Sequence, residues 1–512
     1  MNLAKLLSLR AQSCGNKRAI LFETTPYTYA DLDVQVRRRA SMLAALGVLP
    51  GDRVAIQLPK SMEFIFLELA VMSVGGVVLP LNVDYKADEV DYFLSDSESS
   101  LFITDSARRE RARRVLSKLP RLEVLLVDDF AGEKRRTLRD ELPKATPDFE
   151  RSYPSGDDDP AMIIYTSGTT GRSKGAVLSH KNLIANTEAL YRVWEWSERD
   201  VLLHVLPLFH VHGLFVALHG GLYAGATIIM HEKFDPLRTW QTIESERCTM
   251  LMGVPTIYQR LLHQWDMLER KPDLSSMRVF ISGSAPLLEN LFNRFEQATG
   301  FRILERYGMT EAGMIASNPI QPERRKARSV GYPLPGVEAR IVSESGIDVA
   351  PGQVGEVWIR GDSVFKGYWK MPEKTRESFH EGWFKTGDLG FQDPEDLQRL
   401  YLVGRSKELI ISGGYNVYPK EIEDVLETHE AVKEAAVVGV PDEDFGEKVV
   451  AFVALREDAS ASEADLITHC KERLAGYKCP KHIIQMDVLP RNAMGKLQKN
   501  VLQKSFLESG QS

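Results

Sequence analysis

Cysteine is scarce in this chain: four in 512 residues, Cys14, Cys248, Cys470 and Cys479, with no C-x-x-C spacing. So few thiols cannot staple a chain of this length, which excludes a disulfide scaffold and fits the reduced thiols of a cytoplasmic protein. Long apolar runs are also missing. The best stretch, Phe64 to Leu81, is broken by Glu68, Gly75 and Gly76, which is poor for a bilayer span. The amino terminus, MNLAKLLSLRAQSCGNKRAILF, lacks an apolar core followed by a small-residue cleavage site and reads as an amphipathic first helix. Neither sign of charge dominates: 64 Lys and Arg against 71 Asp and Glu give a net charge of -7. That argues against a dedicated nucleic-acid binder and leaves room for a local phosphate pocket. Internal repeats and low-complexity tracts are lacking too. What is there is ordinary globular composition, 43% hydrophobic and 26% charged, in a chain too long for one core.

Short β-branched runs (Arg53 to Gln57, Val77 to Pro80, Leu101 to Thr104, Val124 to Val127) alternate with helix-length segments such as Met62 to Val74. This alternation predicts an α/β fold. Asp105 to Pro160 reads as helix, short strand and polar loop, just ahead of an apolar strand at Ala161 to Tyr165. A second α/β stretch runs from Val201 to about Gly300, and FISGSAPLLEN within it suggests strand, tight loop and helix. After Val330 the texture turns to strands and turns, expected as a small β subdomain. From Gly404 a compact α+β stretch runs to the end, of a size suited to an independent lid domain. The expected division is therefore a large domain over 1–403 and a lid over 404–512.

The densest chemistry lies in YTSGTTGRSKG, Tyr165 to Gly175. Its glycines let backbone N–H groups approach phosphate oxygens, its hydroxyls donate further bonds, and Lys174 offsets negative charge. The spacing departs from G-x-x-x-x-G-K-[ST], so the loop is not that of a P-loop NTPase. A flexible surface linker has similar composition, and the segment alone does not separate the two.

Four further segments follow in order: ERYGMTE (Glu305 to Glu311), TGDL (Thr386 to Leu389), GRSK (Gly404 to Lys407) and PRNAMGK (Pro490 to Lys496). Together with the glycine-rich loop they resemble the acyl-CoA synthetase branch of the adenylate-forming superfamily, and the resemblance covers nearly the whole chain. It implies ATP, Mg²⁺ and coenzyme A as cofactors, a small-molecule carboxylic acid as partner, and possible assembly as a homodimer. Ser167, Gly168, Thr169, Thr170, Gly171 and Lys174 correspond to the loop that holds the outer phosphates. Thr166 and Glu311 correspond to the magnesium site, matching the oxygen ligands this ion prefers. Asp388, an acceptor-only group suited to a vicinal diol, is placed on the ribose hydroxyls with Arg405 assisting. Gly283, Ser284, Ala285, Tyr307, Gly308 and Thr310 are implied as the adenine bed. Lys496 corresponds to the lysine that reaches both carboxylate and α-phosphate. Lys407 sits at the hinge position for a rotation of the lid, after which Gly414 and Asn416 would face the coenzyme A tunnel. Some relatives carry a lysine where this chain has Gly413.

Around the acid, LPLFHVHGLFVAL, FISGSAPL and ERYGMTEAGMIASNP look most like the malonyl-CoA synthetase branch. His210 matches the position bordering the carboxylate, and Met309 and Met314 limit the pocket. A dicarboxylate needs a partner for its second charge, since an unpaired buried charge is costly; Arg278 is the candidate. Ala312 and Gly313 are small, which favours a larger acid, so medium- or long-chain fatty, alicyclic and aromatic acids remain alternatives. A stand-alone protein loading a carrier and a non-catalytic nucleotide binder are the readings from other classes. Lys496→Ala is expected to abolish acyl-AMP formation, a loss on the order of 10²-fold or more, while sparing thioester formation from supplied acyl-AMP. Equal loss of both half-reactions contradicts that division.

Overall fold

A computed structural model of the chain describes residues 3–111, 116–119, 121–128, 136–147, 156–166, 173–412, 415–442, 445–492 and 496–509. Two sheets form the large domain. In one, parallel strands Glu123–Leu126, Leu101–Thr104, Arg53–Gln57, Val77–Pro80 and Pro160–Thr166 lie side by side, with Lys174–Ser179 and Gly367–Tyr368 closing the edge antiparallel. In the other, Arg18–Phe22, Thr227–Met230, Val201–His204, Met250–Gly253, Val279–Ser282 and Leu304–Met309 run parallel in that spatial order. Nearly unbroken burial along Val77–Pro80, Leu101–Thr104 and Val279–Ser282 is what parallel strands covered on both faces require. Past Met309 the second sheet continues antiparallel through Gly313–Ser317, Ser329–Pro333, Leu400–Arg405, Trp383–Gln392, Gly355–Gly361 and Val337–Val342, the expected β-rich part.

Helix Met62–Ser73 is buried at Met62 and from Phe64 to Met72, and its sequence, MEFIFLELAVMS, is apolar on nearly every side as burial demands. Ser61 caps its first turn through Phe64 N–H at 3.3 Å. Its only acidic residue beyond the first turn, Glu68, is fully buried. Helix His180–Val193 starts from a reciprocal cap: Ser179 Oγ accepts from Asn182 N–H at 3.2 Å, and Asn182 Oδ1 accepts from Ser179 N–H at 2.8 Å. Asn182 also donates to the carbonyls of Asp362 and Val364, tying the first sheet's edge to the β-rich part.

A separate carboxy-terminal domain is built on a sheet of Tyr415–Val417, Ile410–Ser412, Gly446–Leu455, Val432–Asp442 and His482–Gln485. Helices Pro419–Glu427 and Glu463–Lys471 supply Ile422, Leu426, Leu466 and Cys470 to one core. Helix Lys499–Glu508 supplies Leu502 and Phe506 to a second core. The expected division at 403/404 falls inside strand Leu400–Arg405, which pairs with the large domain's Trp383–Gln392 through Asp388 opposite Arg405. Arg328 of the large domain reaches Asp424 of the small one at 2.8 Å.

Removing the serine cap by Ser179→Ala should cost about 1 kcal/mol. Asn182→Ala should cost more, because it also strips two carbonyls of their donor. Urea unfolding followed by tryptophan fluorescence checks this, with midpoints expected in the order wild type, Ser179→Ala, Asn182→Ala. The reverse order of the two variants would show that the carbonyl bonds are energetically silent.

Candidate functional site

Parallel strands point their carboxyl ends the same way, and the loops beyond those ends are where α/β sheets build sites. Here they bring together Thr166, His210, Ser284 and the segment Arg306–Glu311. Tyr307 donates to Asp388 Oδ2 at 2.5 Å, and Arg405 Nε lies 3.2 Å from Asp388 Oδ1. Burial pushes the Asp388 carboxyl up, opposed by Arg405, Tyr307 and Lys496. Glu311 accepts from Tyr368 at 3.0 Å; burial raises it as well, opposed by Tyr368, Arg405 and Lys174. A carboxylate raised by burial gains from any cation brought beside it, so Glu311 and the Thr166 hydroxyl fit a magnesium ion by oxygen chemistry and by charge.

Thr166 ends its strand directly opposite Lys174 in the hairpin, and its Oγ1 is 3.4 Å from the Lys174 carbonyl. Lys174 stands over the Tyr368 ring at 4.9 Å; burial lowers its pKa, as do Lys374 and Lys407. Ser167, Gly168, Thr169, Thr170 and Gly171 lie outside the described residues, as does Gly414. Lys496, from the small domain, is lowered by burial and by Arg405, and supported by Asp388 and Glu311. The small domain's lysine and the large domain's carboxylates therefore act on one another. Lys407 occupies the short helical turn Ser406–Glu408 between the two domains' sheets, and Asn416 is exposed on Tyr415–Val417.

Beside these groups lies a second set. His212 is buried, with Nδ1 3.3 Å from Ser284 Oγ and Nε2 without a partner. His210 Nδ1 accepts from His212 N–H at 3.4 Å, and burial with Lys496 and Arg306 pushes it down to about 3. Arg306 is 3% exposed, and its Nε and Nη2 have no partner. Burial lowers it to about 9, with Tyr258 opposing. Gly283 lies against this guanidinium, leaving no room for a Cβ. Ser284 holds a positive φ of 69° at the turn after Val279–Ser282. Ala285 continues that loop; Gly308 packs on Met314; Thr310 is buried and Met309 half-buried.

Arg278 is not part of this set. It precedes Val279–Ser282, at the opposite end of the strand from Ser284, and is committed to Asp200 through contacts of 2.6 and 2.9 Å. Its remaining nitrogen donates to the Trp194 carbonyl at 2.8 Å. Its charge is thus neutralised on the wrong edge of the sheet, and the expectation that it receives a substrate carboxylate is corrected. Arg306, inside ERYGMTE, is the cation the sequence reasoning passed over. Its strand reads LERYGM, so the sequence sets Glu305 and Arg306 side by side and does not show that both are buried, as they are here. Gly313 does not widen the pocket either: at φ 62° its Cβ position lies 2.8 Å from Asn186 and 2.9 Å from Phe215, so that space is filled. Met314 is buried and fixed by its backbone, which Asn186 engages at both N–H and C=O.

The AMP-binding enzyme family matches residues 7–369, and the AMP-binding enzyme C-terminal domain matches residues 421–496. Among curated proteins, the mitochondrial malonate–CoA ligase ACSF3 of Mus musculus is 37% identical, covering 98% of this chain and 91% of its own. A long-chain-fatty-acid–CoA ligase of Bacillus subtilis is 35% identical, covering 99% and 94%. Among solved structures, ATP-bound MatB from Rhodopseudomonas palustris is 42% identical, with a TM-score of 0.91 and 99% of both chains covered.

Glu305 carries a pH signature. It accepts from Leu287 N–H at 2.9 Å, its other oxygen is unpartnered, and burial pushes it up to about 8 against 4.5 for a free side chain. Lys420 opposes that rise and Asp424 adds to it. The folded state holds an extra proton across this window, so stability falls as pH rises from about 4.5 to about 8. Glu305→Gln removes this component. The fall in unfolding temperature between pH 5 and pH 8.5 should be smaller in the variant, and an equal fall sinks the assignment.

Proposed function

The chain belongs to the AMP-binding enzyme family, as an AMP-forming acyl-CoA synthetase, and we propose that its acid is a small dicarboxylate of the malonate type, with Arg306 receiving the carboxylate that does not react. Relatives alone do not choose the acid, because a malonate ligase and a long-chain fatty-acid ligase are similar to this chain to nearly the same degree. The observation that carries the reading is the unpartnered, buried Arg306 guanidinium. Burying such a charge without a partner is strongly unfavourable, and a ligand carboxylate would offset that with parallel, charge-assisted hydrogen bonds. A fatty acyl chain offers nothing to it. His212 Nε2, also unpartnered, adds a polar group to the same pocket.

The reaction uses ATP, Mg²⁺ and coenzyme A. In the first half-reaction a carboxylate oxygen attacks the α-phosphorus of ATP, pyrophosphate leaves, and acyl-AMP forms. In our reading Lys496 holds the attacking carboxylate and the α-phosphate together, lowering their repulsion. Asp388 accepts the ribose hydroxyls, with Arg405 and Tyr307 fixing its two oxygens. Thr166 and Glu311 would hold the magnesium ion, which when bound draws negative charge from the phosphates. Gly283, Ser284, Ala285, Gly308 and Thr310 are the proposed adenine bed, and His210 borders the reacting carboxylate as a neutral imidazole. In the second half-reaction the thiol of coenzyme A attacks the acyl carbon and AMP leaves, the thiol proton passing to solvent. That step needs Lys496 withdrawn, and we assign the turn carrying Lys407 as the hinge between large and small domains, with Gly414 and Asn416 facing coenzyme A afterwards.

The same reading places the protein in the cytoplasm, where its free cysteines stay reduced, and extends to a homodimer. No helix among the described residues is long and apolar enough to cross a membrane.

Replacing Arg306 tests the substrate assignment. Arg306→Met should lower turnover of malonate by about 10²-fold or more, the scale for removing one partner of a buried charge pair. Turnover of propionate or butyrate should change less than about fivefold. Malonate turnover within threefold of wild type would remove Arg306 from substrate recognition.

A further inference from the structure

The segment that carries His210 and His212 is locally unusual. It leaves strand Val201–His204 as a loop and continues as a π-helix, His212–His219, a wide turn that is rare and needs outside support. Gly213 lies so close to the Pro207 carbonyl that any Cβ would collide with it, which packs the loop onto the start of the helix. Two polar contacts bracket this helix, one through the strand residue His204 ahead of it and one on His219 at its end, and both come from the segment Lys60 to Glu68 beside the other sheet. At the start, Lys60 Nζ lies 2.9 Å from His204 Nδ1 and donates to the His204 carbonyl at 2.9 Å. Lysine has only donors, so Nδ1 accepts; His204 Nε2 then carries the proton and donates to the Gly213 carbonyl at 2.8 Å. At the far end, Glu68 Oε1 lies 3.1 Å from His219 Nε2, with both side chains fully buried. The pair is close without being aligned as a hydrogen bond, and neither Glu68 oxygen nor either His219 ring nitrogen has a hydrogen-bond partner.

Lys60 lies two residues before helix Met62–Ser73 and Glu68 lies within it, so one segment sets an amine against His204, which bonds the start of the π-helix, and a carboxyl against His219 at its other end. Buried polar contacts of this kind are expensive unless they fix a geometry, and register is their best-attested use. We propose that Lys60 and Glu68 are positioning residues, which through His204 and His219 hold the π-helix in the register that presents His210 and His212 to the acid beside Arg306 and Ser284. Neither touches the acid. The inference rests on the acid-pocket reading given above, and it adds that the pocket's histidine wall is set from the other sheet. Errors in that register displace the acid and leave the ATP groups Asp388, Tyr307 and Glu311 in place, because those stand on separate strands.

Steady-state kinetics of the full chain, with acid and ATP varied separately, tests this. The acid used is whichever gives the highest turnover in the wild type, so an incorrect substrate assignment leaves the experiment intact. Lys60→Met and His204→Leu should each raise the KM for the acid tenfold or more, with the KM for ATP within twofold. His204→Gln, whose amide both accepts from lysine and donates to a carbonyl, should bring the acid KM back to within threefold of wild type. Glu68→Leu should give the acid-specific defect too. Should the fully buried Glu68 or His204 variants fail to accumulate as folded protein, Lys60→Met decides, since Lys60 is only half-buried. An unchanged acid KM in Lys60→Met, or an equal rise in both KM values, overturns the proposal.

Discussion

A guanidinium cut off from water with two nitrogens unpaired is a standing cost to the folded chain, and the arrangement around Arg306 makes sense only if an anion completes it. Its neighbours cannot do so. Gly283 gives it room but no charge, His212 is neutral under burial, and Tyr258 donates instead to the Ile281 carbonyl. Asp388 is engaged with Tyr307 and Arg405, and Glu311 with Tyr368. The site thus holds a positive charge two of whose nitrogens find no partner among the described residues.

The same logic extends to closure of the small domain. Lys496 enters a region already containing Arg405 and Arg306, and like charge as well as burial lowers its pKa. Asp388 and Glu311 offset part of that repulsion. Phosphates and a carboxylate would offset the rest, so bringing Lys496 in is most favourable when the anionic substrates are present. Ion pairs at the domain junction, Arg328 with Asp424 among them, are exposed on at least one side and weigh little against this. Substrate charge rather than interface area sets the closed arrangement in this account.

Much of this was legible in the sequence. Strand positions followed from apolar runs and Met62–Ser73 emerged within one residue of its expected end, whereas antiparallel structure already begins after Met309, ahead of the change in texture at Val330. The candidates Thr166, Asp388, Glu311 and Lys496 came from the resemblance their motifs carry, and their roles belong to the proposed function. The choice of arginine was not legible. Arg278 and Arg306 both flank motif strands, and only the three-dimensional register tells that one sits at the strand's start, neutralised by Asp200, while the other lies within a buried strand. Likewise, the contacts beside the π-helix His212–His219 come from Lys60 and Glu68, which are remote from it in sequence. Gly313 looked like extra room because a sequence cannot show that Asn186 and Phe215 fill it.

The most direct test of the account is AMP release by the wild-type protein with ATP, Mg²⁺ and coenzyme A, comparing malonate with propionate and butyrate at equal concentrations, and with coenzyme A omitted in parallel. The account predicts turnover with malonate exceeding that with either monocarboxylate by about 10²-fold or more, as expected when a buried cation is left unpaired by the wrong ligand, and dependent on coenzyme A for completion. Equal or greater turnover with a monocarboxylate would contradict it, leaving the ligase chemistry intact and Arg306 without a ligand.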